Sequence, residues 1–159
     1  MITQRVALLV TFTALAVSTV TLAGAVEDYN GATTMSVTNR GVAKRMNSMA
    51  RADAAIQALG DMMGGRRFFN KAQARAVRKI LIETMDETPS LFRRRHSDPM
   101  SRASPAIWTQ KKDFRNKAKA ARQAAQKLDV DRLNDLRRTL PALVVTCFDC
   151  HDLYRRNSP

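Results

Sequence analysis

Cysteine is almost missing from this chain, with two thiols in 159 residues, and histidine is equally scarce, with two. Aromatic side chains are few: six Phe, two Tyr and one Trp, enough to anchor a core without making it aromatic-rich. Acids are the minority charge, 14 Asp and Glu against 27 Lys and Arg, which leaves a formal charge of +13. No stretch reads as a convincing strand, and no internal repeat or low-complexity tract interrupts the chain. The scarcity of ligands makes a four-ligand structural zinc site hard to assemble, since only His96 and carboxylates would remain beside the C-terminal group. The basic excess favours anionic partners, whether an acidic protein, a lipid surface or nucleic acid.

The N-terminal string MITQRVALLVTFTALAVSTVTLAGA holds one Arg, no acid and an apolar run from Val6 to Ala23, and it closes on Ala23-Gly24-Ala25. That pattern is a signal peptide over residues 1–25 with a small-residue cleavage site; an uncleaved anchor, which would tether the protein to a membrane, is the alternative. Both readings export the chain, so nucleic acid becomes the poorest of the anionic partners and a periplasmic location is expected. Cleavage removes one arginine and leaves a charge of +12 over 134 residues, a length suited to one domain. Residues 26–37 read as a flexible segment and 38–156 as the folded domain.

Four stretches carry helical periodicity. The first runs from Thr38 to Met63, where Val42, Met49, Ile56 and Met63 recur at seven-residue steps and Gly64-Gly65 follows. The second covers Asn70 to Met85, with Val77, Ile80, Leu81 and Thr84 on one face and Pro89 beyond its end. A polar connection with Arg93, Arg94, Arg95 and His96 comes next, read as a solvated loop with an exposed histidine. The third helix starts at Ser104-Pro105 and runs to Leu128. The fourth starts near Asp131 and extends to Tyr154, with Pro141 inside it as an expected kink. The expected fold is therefore all-α, an antiparallel four-helix bundle.

The last helix ends in CFDCHDLYRR, which places Cys147, Cys150 and His151 in a C-x-x-C-H. A disulfide between residues three apart closes almost no loop and adds little stability. A redox dithiol expects a helix N-terminus, whose dipole favours thiolate, whereas these residues lie near a C-terminus. Covalent haem uses every residue: two thiols for two vinyl groups, and an adjacent imidazole for the iron. On that reading Cys147 and Cys150 form the thioethers of one haem c and His151 is the proximal ligand.

A C-x-x-C-H on the last helix of a four-helix bundle resembles the class II cytochromes c, the cytochrome c-prime family. CFDCHDLYRR is similar to the family's ending, and SPAIWTQKKDF to its third-helix entry; the likeness extends from about Thr38 to Arg156. The chain departs from the pattern in lacking an acid after Pro105, in carrying Pro141 and in its arginine content. The resemblance implies an Arg, here Arg45, and four residues later a side chain that faces the open side of the haem, here Met49, both in KRMNSMA. Methionine at the second position implies a low-spin member with sulfur ligation, with Met46 as the alternate sulfur. Read from the helix alone, Met49 is equally a core side chain, because methionine fills cores well. Arg45 is harder to explain as core, since a buried guanidinium needs an anion, and a haem propionate is one. The resemblance likewise puts Arg155 beside the proximal face, where its alternative role is to complement the helix dipole. Trp108 and Tyr154 are expected to pack around the porphyrin.

The function expected is that of a periplasmic monohaem c-type cytochrome that carries single electrons, without catalytic residues and not an enzyme. Its expected partner is an acidic redox protein, and the family implies a homodimer through the first two helices. Two alternatives stand beside it. One is a five-coordinate haem protein that binds nitric oxide or carbon monoxide; the other is a haem-free basic bundle that adheres to anionic surfaces.

Overall fold

Asn39 sets the start of the first helix. Its backbone is extended, and its side-chain Oδ1 accepts from the amides of Gly41 at 2.9 Å and Val42 at 3.2 Å, two donors that the first turn leaves free. Helix α1 then runs over Arg40–Met63 and closes at Gly64, with Gly65 at φ +76°, a left-handed conformation that suits glycine. The computed structural model describes residues 37–157; the signal segment expected over 1–25 and the linker after it, up to residue 36, lie outside the described residues.

Helix α2 spans Lys71–Leu91, capped by Asn70 Oδ1 on the Gln73 amide at 2.9 Å. It continues past Met85, where the apolar pattern fades, and takes Pro89 into its last turn. A proline there forfeits a backbone hydrogen bond, and the Thr88 hydroxyl donates to the Thr84 carbonyl at 2.7 Å beside it. The single third helix expected from Ser104 is two: α3, Ala106–Thr109, and α4, Lys111–Lys127, with a break at Gln110. The break follows from tertiary anchoring. Trp108 Nε1 donates to the Phe92 carbonyl at 2.9 Å and Ile107 is buried, so the first turn belongs to the loop region and not to the bundle axis. Helix α5 covers Leu133–Tyr154 and passes through Pro141, which lies on its exposed side.

The four long helices pack as a ring: α1 on α2, α2 on α4, α4 on α5, and α5 back on α1. Arg137 Nε, in the first turns of α5, donates to the Met63 carbonyl at the end of α1, at 3.2 Å. At the other end the chain beyond α5 meets the loop before α3, where the Arg156 amide donates to the Arg102 carbonyl at 2.8 Å. The neighbours therefore run antiparallel, as the periodicity predicts. Leu59, Leu81, Leu128, Leu136, Leu140 and Leu143 are fully buried in the main core. A second cluster gathers Ile107, Phe114 and Tyr154, with Phe92 and Trp108 against it.

The loop after α2 is tied down at Asp98. Its Oδ2 accepts from the amides of Thr38 and Asn39, both at 3.0 Å, and its Oδ1 from Met100 at 2.9 Å. His96 is half-buried on Gly41 instead of exposed: a Cβ at that glycine would stand 2.4 Å from the ring, so the helix and the loop approach closely only because residue 41 has no side chain.

The amide donors, Asn39 first, hold the Asp98 carboxyl below the ordinary carboxylate range. Its contribution to stability is then present above about pH 4, the unfolded value, and is lost as pH falls through the depressed folded value. Urea unfolding followed by circular dichroism should show a loss of stability below pH 4 that Asp98→Asn reduces. The variant should also be less stable at neutral pH, because an amide offers one accepting oxygen in place of two.

Candidate functional site

Cys147, Cys150 and His151 stand on one side of α5 and line a single cavity of about 200 Å³. The helical period puts residues three and four apart on one face, so the C-x-x-C-H turns both thiols and the imidazole inward together. The opposite wall comes from α1, with Met49, Ala52 and Ile56, and from α2, with Leu81, Met85 and Thr88. Helix α4 contributes only Ala118 and Ala121, so the floor is made of methyl groups. Those alanines belong to the buried face Phe114, Ala118, Ala121, Ala125, where larger side chains would close the space.

Met49 therefore shares the cavity with the attachment residues, as the sequence suggests. The buried line of α1 is Val42, Arg45, Ser48, Ala52, Ala55, Leu59 and Met62, so Val42 of the seven-residue series is core while Met49, Ile56 and Met63 are half-buried on its flank.

Arg45 is 3 % exposed and does not line the cavity. Its Nε donates to the Leu91 carbonyl at 2.9 Å, one terminal nitrogen to the His96 carbonyl at 3.5 Å, and the other to the Arg94 carbonyl. Its guanidinium carbon lies 4.8 Å from the Phe92 ring centre and 5.3 Å from that of Trp108, within cation–π range. Burial pushes its pKa down. Trp108 and Tyr154 also stand off the cavity, in the second aromatic cluster, where the Tyr154 hydroxyl donates to Asp113 Oδ2 at 2.6 Å. The packing around the cavity is thus mainly aliphatic, from Ile56, Leu81, Met85 and Leu143, residues the helical pattern marks only as core, with Asp53, Thr88, Thr146 and Phe148 also on its lining. Arg155 caps the end of α5 with an exposed side chain. Met46 is half-buried and stands off the cavity.

The donor chemistry fits a c-type haem. Both thiols are free, and burial is the main cause that raises their pKa, for Cys150 to about 11. They are protonated at neutral pH, unlike the low-pKa thiolates of redox dithiols. Burial first, and then the Arg155 charge, lower the His151 pKa, so its imidazole is neutral and a nitrogen lone pair is free for iron. Among the described residues no group of three or more His, Cys, Asp and Glu side chains is arranged to hold a bare metal ion.

The cytochrome C′ family profile matches residues 40–155. The chain belongs to the cytochrome c′ family. The family binds c-type haem, and the chain's two cysteines both lie on α5. Among solved structures, the NMR-validated structure of oxidised R. palustris cytochrome c556 is similar at 20 % identity, TM-score 0.69, over 76 % of this chain and 98 % of that one. A ferrous variant of Alcaligenes xylosoxidans cytochrome c prime with bound NO matches at 21 % identity and TM-score 0.66, over 74 % and 94 %. Cytochrome c prime from Shewanella frigidimarina matches at 19 % and 0.63, over 74 % and 94 %. At these identities the likeness shows the four-helix fold. A comparison with curated proteins finds no match.

Enlarging the methyl floor tests the cavity directly. Ala121→Leu should cost no more than about 1–3 kcal/mol of stability, the usual range for overpacking, and should keep the helical circular dichroism. It should nevertheless lower the fraction of purified chain that carries covalent haem, read from haem absorbance against protein mass.

Proposed function

We propose that this cytochrome c′ is a periplasmic monohaem electron carrier and not an enzyme, with thioethers at Cys147 and Cys150, His151 as proximal ligand and Met49 as the sixth ligand. The observation that carries the reading is the shared cavity: Met49 from α1 and His151 from α5 line the same apolar space. When bound, the haem supplies reversible one-electron chemistry between ferric and ferrous iron. The chain's part is to hold two thioether positions one helical turn apart, to present a neutral imidazole, and to surround both with mainly apolar side chains. A methionine sulfur would favour the ferrous state and raise the potential, and burial would raise it further.

The outer side of α5 supports electron exchange. Phe148, inside the attachment motif, is 63 % exposed and Val145 is 55 % exposed, so the site lies directly beneath the surface. The charge of +12 left after signal cleavage would steer an acidic partner towards the protein. A periplasmic location agrees with this reading, and no helix among the described residues is long and apolar enough to cross a membrane.

A second reading rests on Met49 as well. Its side chain is half-buried among Ala52, Ile56 and Met85, where a thioether can serve simply as packing. The iron face on the α1 side would then be open to nitric oxide or carbon monoxide, and the Alcaligenes xylosoxidans relative carries NO. Absorption spectra of the protein, made with a haem-maturation system, separate the two. Low-spin spectra in both oxidation states, with the weak red band of sulfur-to-ferric-iron charge transfer lost in Met49→Leu, support the carrier. A high-spin spectrum that changes with nitric oxide sinks the Met49 ligand, and soluble protein without covalent haem sinks both readings in favour of a surface-adhering bundle. For the carrier, electron transfer to an acidic partner should slow as ionic strength rises from 10 mM towards about 0.15 M, where the screening length is about 8 Å.

A further inference from the structure

The exposed face of α5 is ordered along its length. Arg137 and Arg138 lie at its N-terminal end, Val145 and Phe148 in the middle, and Asp149 and Asp152 near its C-terminal end; all six are exposed. Between Arg138 and Arg155 there is no lysine or arginine, although the chain carries 27. The helical period of 100° per residue puts Arg138, Val145, Phe148, Asp149 and Asp152 within one face. A stripe that reads basic, apolar, acidic is complementary to itself when reversed.

We propose that α5 is a self-association surface, on which a second copy of this chain lays its own α5 antiparallel about a two-fold axis near Val145. In that arrangement Arg138 meets the acids of the partner at both ends of the contact, and Val145 and Phe148 of the two copies pack at its centre. The isologous geometry needs no second kind of surface, because each copy offers both halves of every charge pair. The net charge of both copies opposes the approach, so the pairing depends on this local order and not on overall electrostatics.

The size of the stripe sets its strength. Arg138 and Asp152 are separated by about 21 Å along a helix that rises 1.5 Å per residue. A strip of that length and about 10 Å wide covers some 400 Å² over two copies, against about 1,200 Å² for a stable specific interface. The contact is therefore transient and concentration-dependent. Phe148 lies inside the C-x-x-C-H, so it also brings the attachment segments of two copies face to face. This surface is distinct from one formed by α1 and α2, and the proposal stands whether or not Met49 ligates iron.

Sedimentation equilibrium at low salt, on the protein as isolated from an exporting host, tests it. An association step should appear as concentration rises, should weaken with salt, and should fall by about tenfold or more in Asp149→Lys/Asp152→Lys, as two attractive contacts become repulsive. Leu153→Ser, off the stripe, should leave the step unchanged. Mixing the double variant with Arg138→Glu should restore association between the two kinds of chain. Arg138 also holds Asp135 at 2.5 Å, so Arg138→Glu is the variant most prone to misfold. Val145→Ser touches no charge and should weaken the step several-fold by itself. A chain that stays monomeric at every concentration, or an association that ignores the Asp149 and Asp152 reversal, overturns the proposal.

Discussion

A buried guanidinium without a carboxylate organises one end of this bundle. Arg45 comes from the N-terminal part of the buried line of α1, and three backbone carbonyls of the chain from Leu91 to His96 accept its donors. Taking such a charge out of water is costly unless every donor is met, so the loop must keep its path for Arg45 to remain inside. The constraint then spreads. The same loop brings Asp98 to Thr38 and Asn39, just before α1, and residues 101–103 to the end of α5. The helix that carries Met49 and the helix that carries His151 are thus referenced to one another through a loop that belongs to neither.

This arrangement leaves the middle of the bundle free to be thinly filled. Leucines close the core towards the α1–α2 turn, and the aromatic cluster with Phe114 and Tyr154 closes the other end. Between them α4 offers alanine, and the wall opposite is built from methionine, isoleucine and leucine. An apolar space of this kind costs packing energy, because surrounding atoms lose contacts there. Its persistence beside two protonated thiols and a neutral imidazole is consistent with a covalent cofactor that completes the core when attached.

Much of this was legible in the chain. The C-x-x-C-H, its place on the last helix and the bundle follow from local spacing, while Met49 near the site came from the family resemblance. What escaped was set by long-range contacts. Gln110 breaks a helix because Trp108 and Ile107 are held elsewhere, and α2 passes Pro89 because one lost hydrogen bond in a final turn is tolerable. Arg45 looks from its spacing like a partner for an anion, yet its donors go to carbonyls that begin 46 residues later. His96 sits on α1 because Gly41 lacks a side chain, a reason that no property of the basic loop reveals. The alanine face of α4 was visible as a pattern, but only the other three helices show that it bounds a cavity.

Net charge and contact charge also separate in this protein. The chain is strongly basic, and its excess charge acts on an approaching partner within about a screening length of the surface. At contact the relevant surface is α5, where a run from Thr139 to Tyr154 contains no lysine or arginine and carries Asp149 and Asp152. The cations that dominate the composition lie on other faces, at the bundle ends and along α4, where sequences such as KKDFRNKAKAARQ place them. Composition thus describes how the molecule is approached, while the order of residues along one helix face decides what can rest against the site.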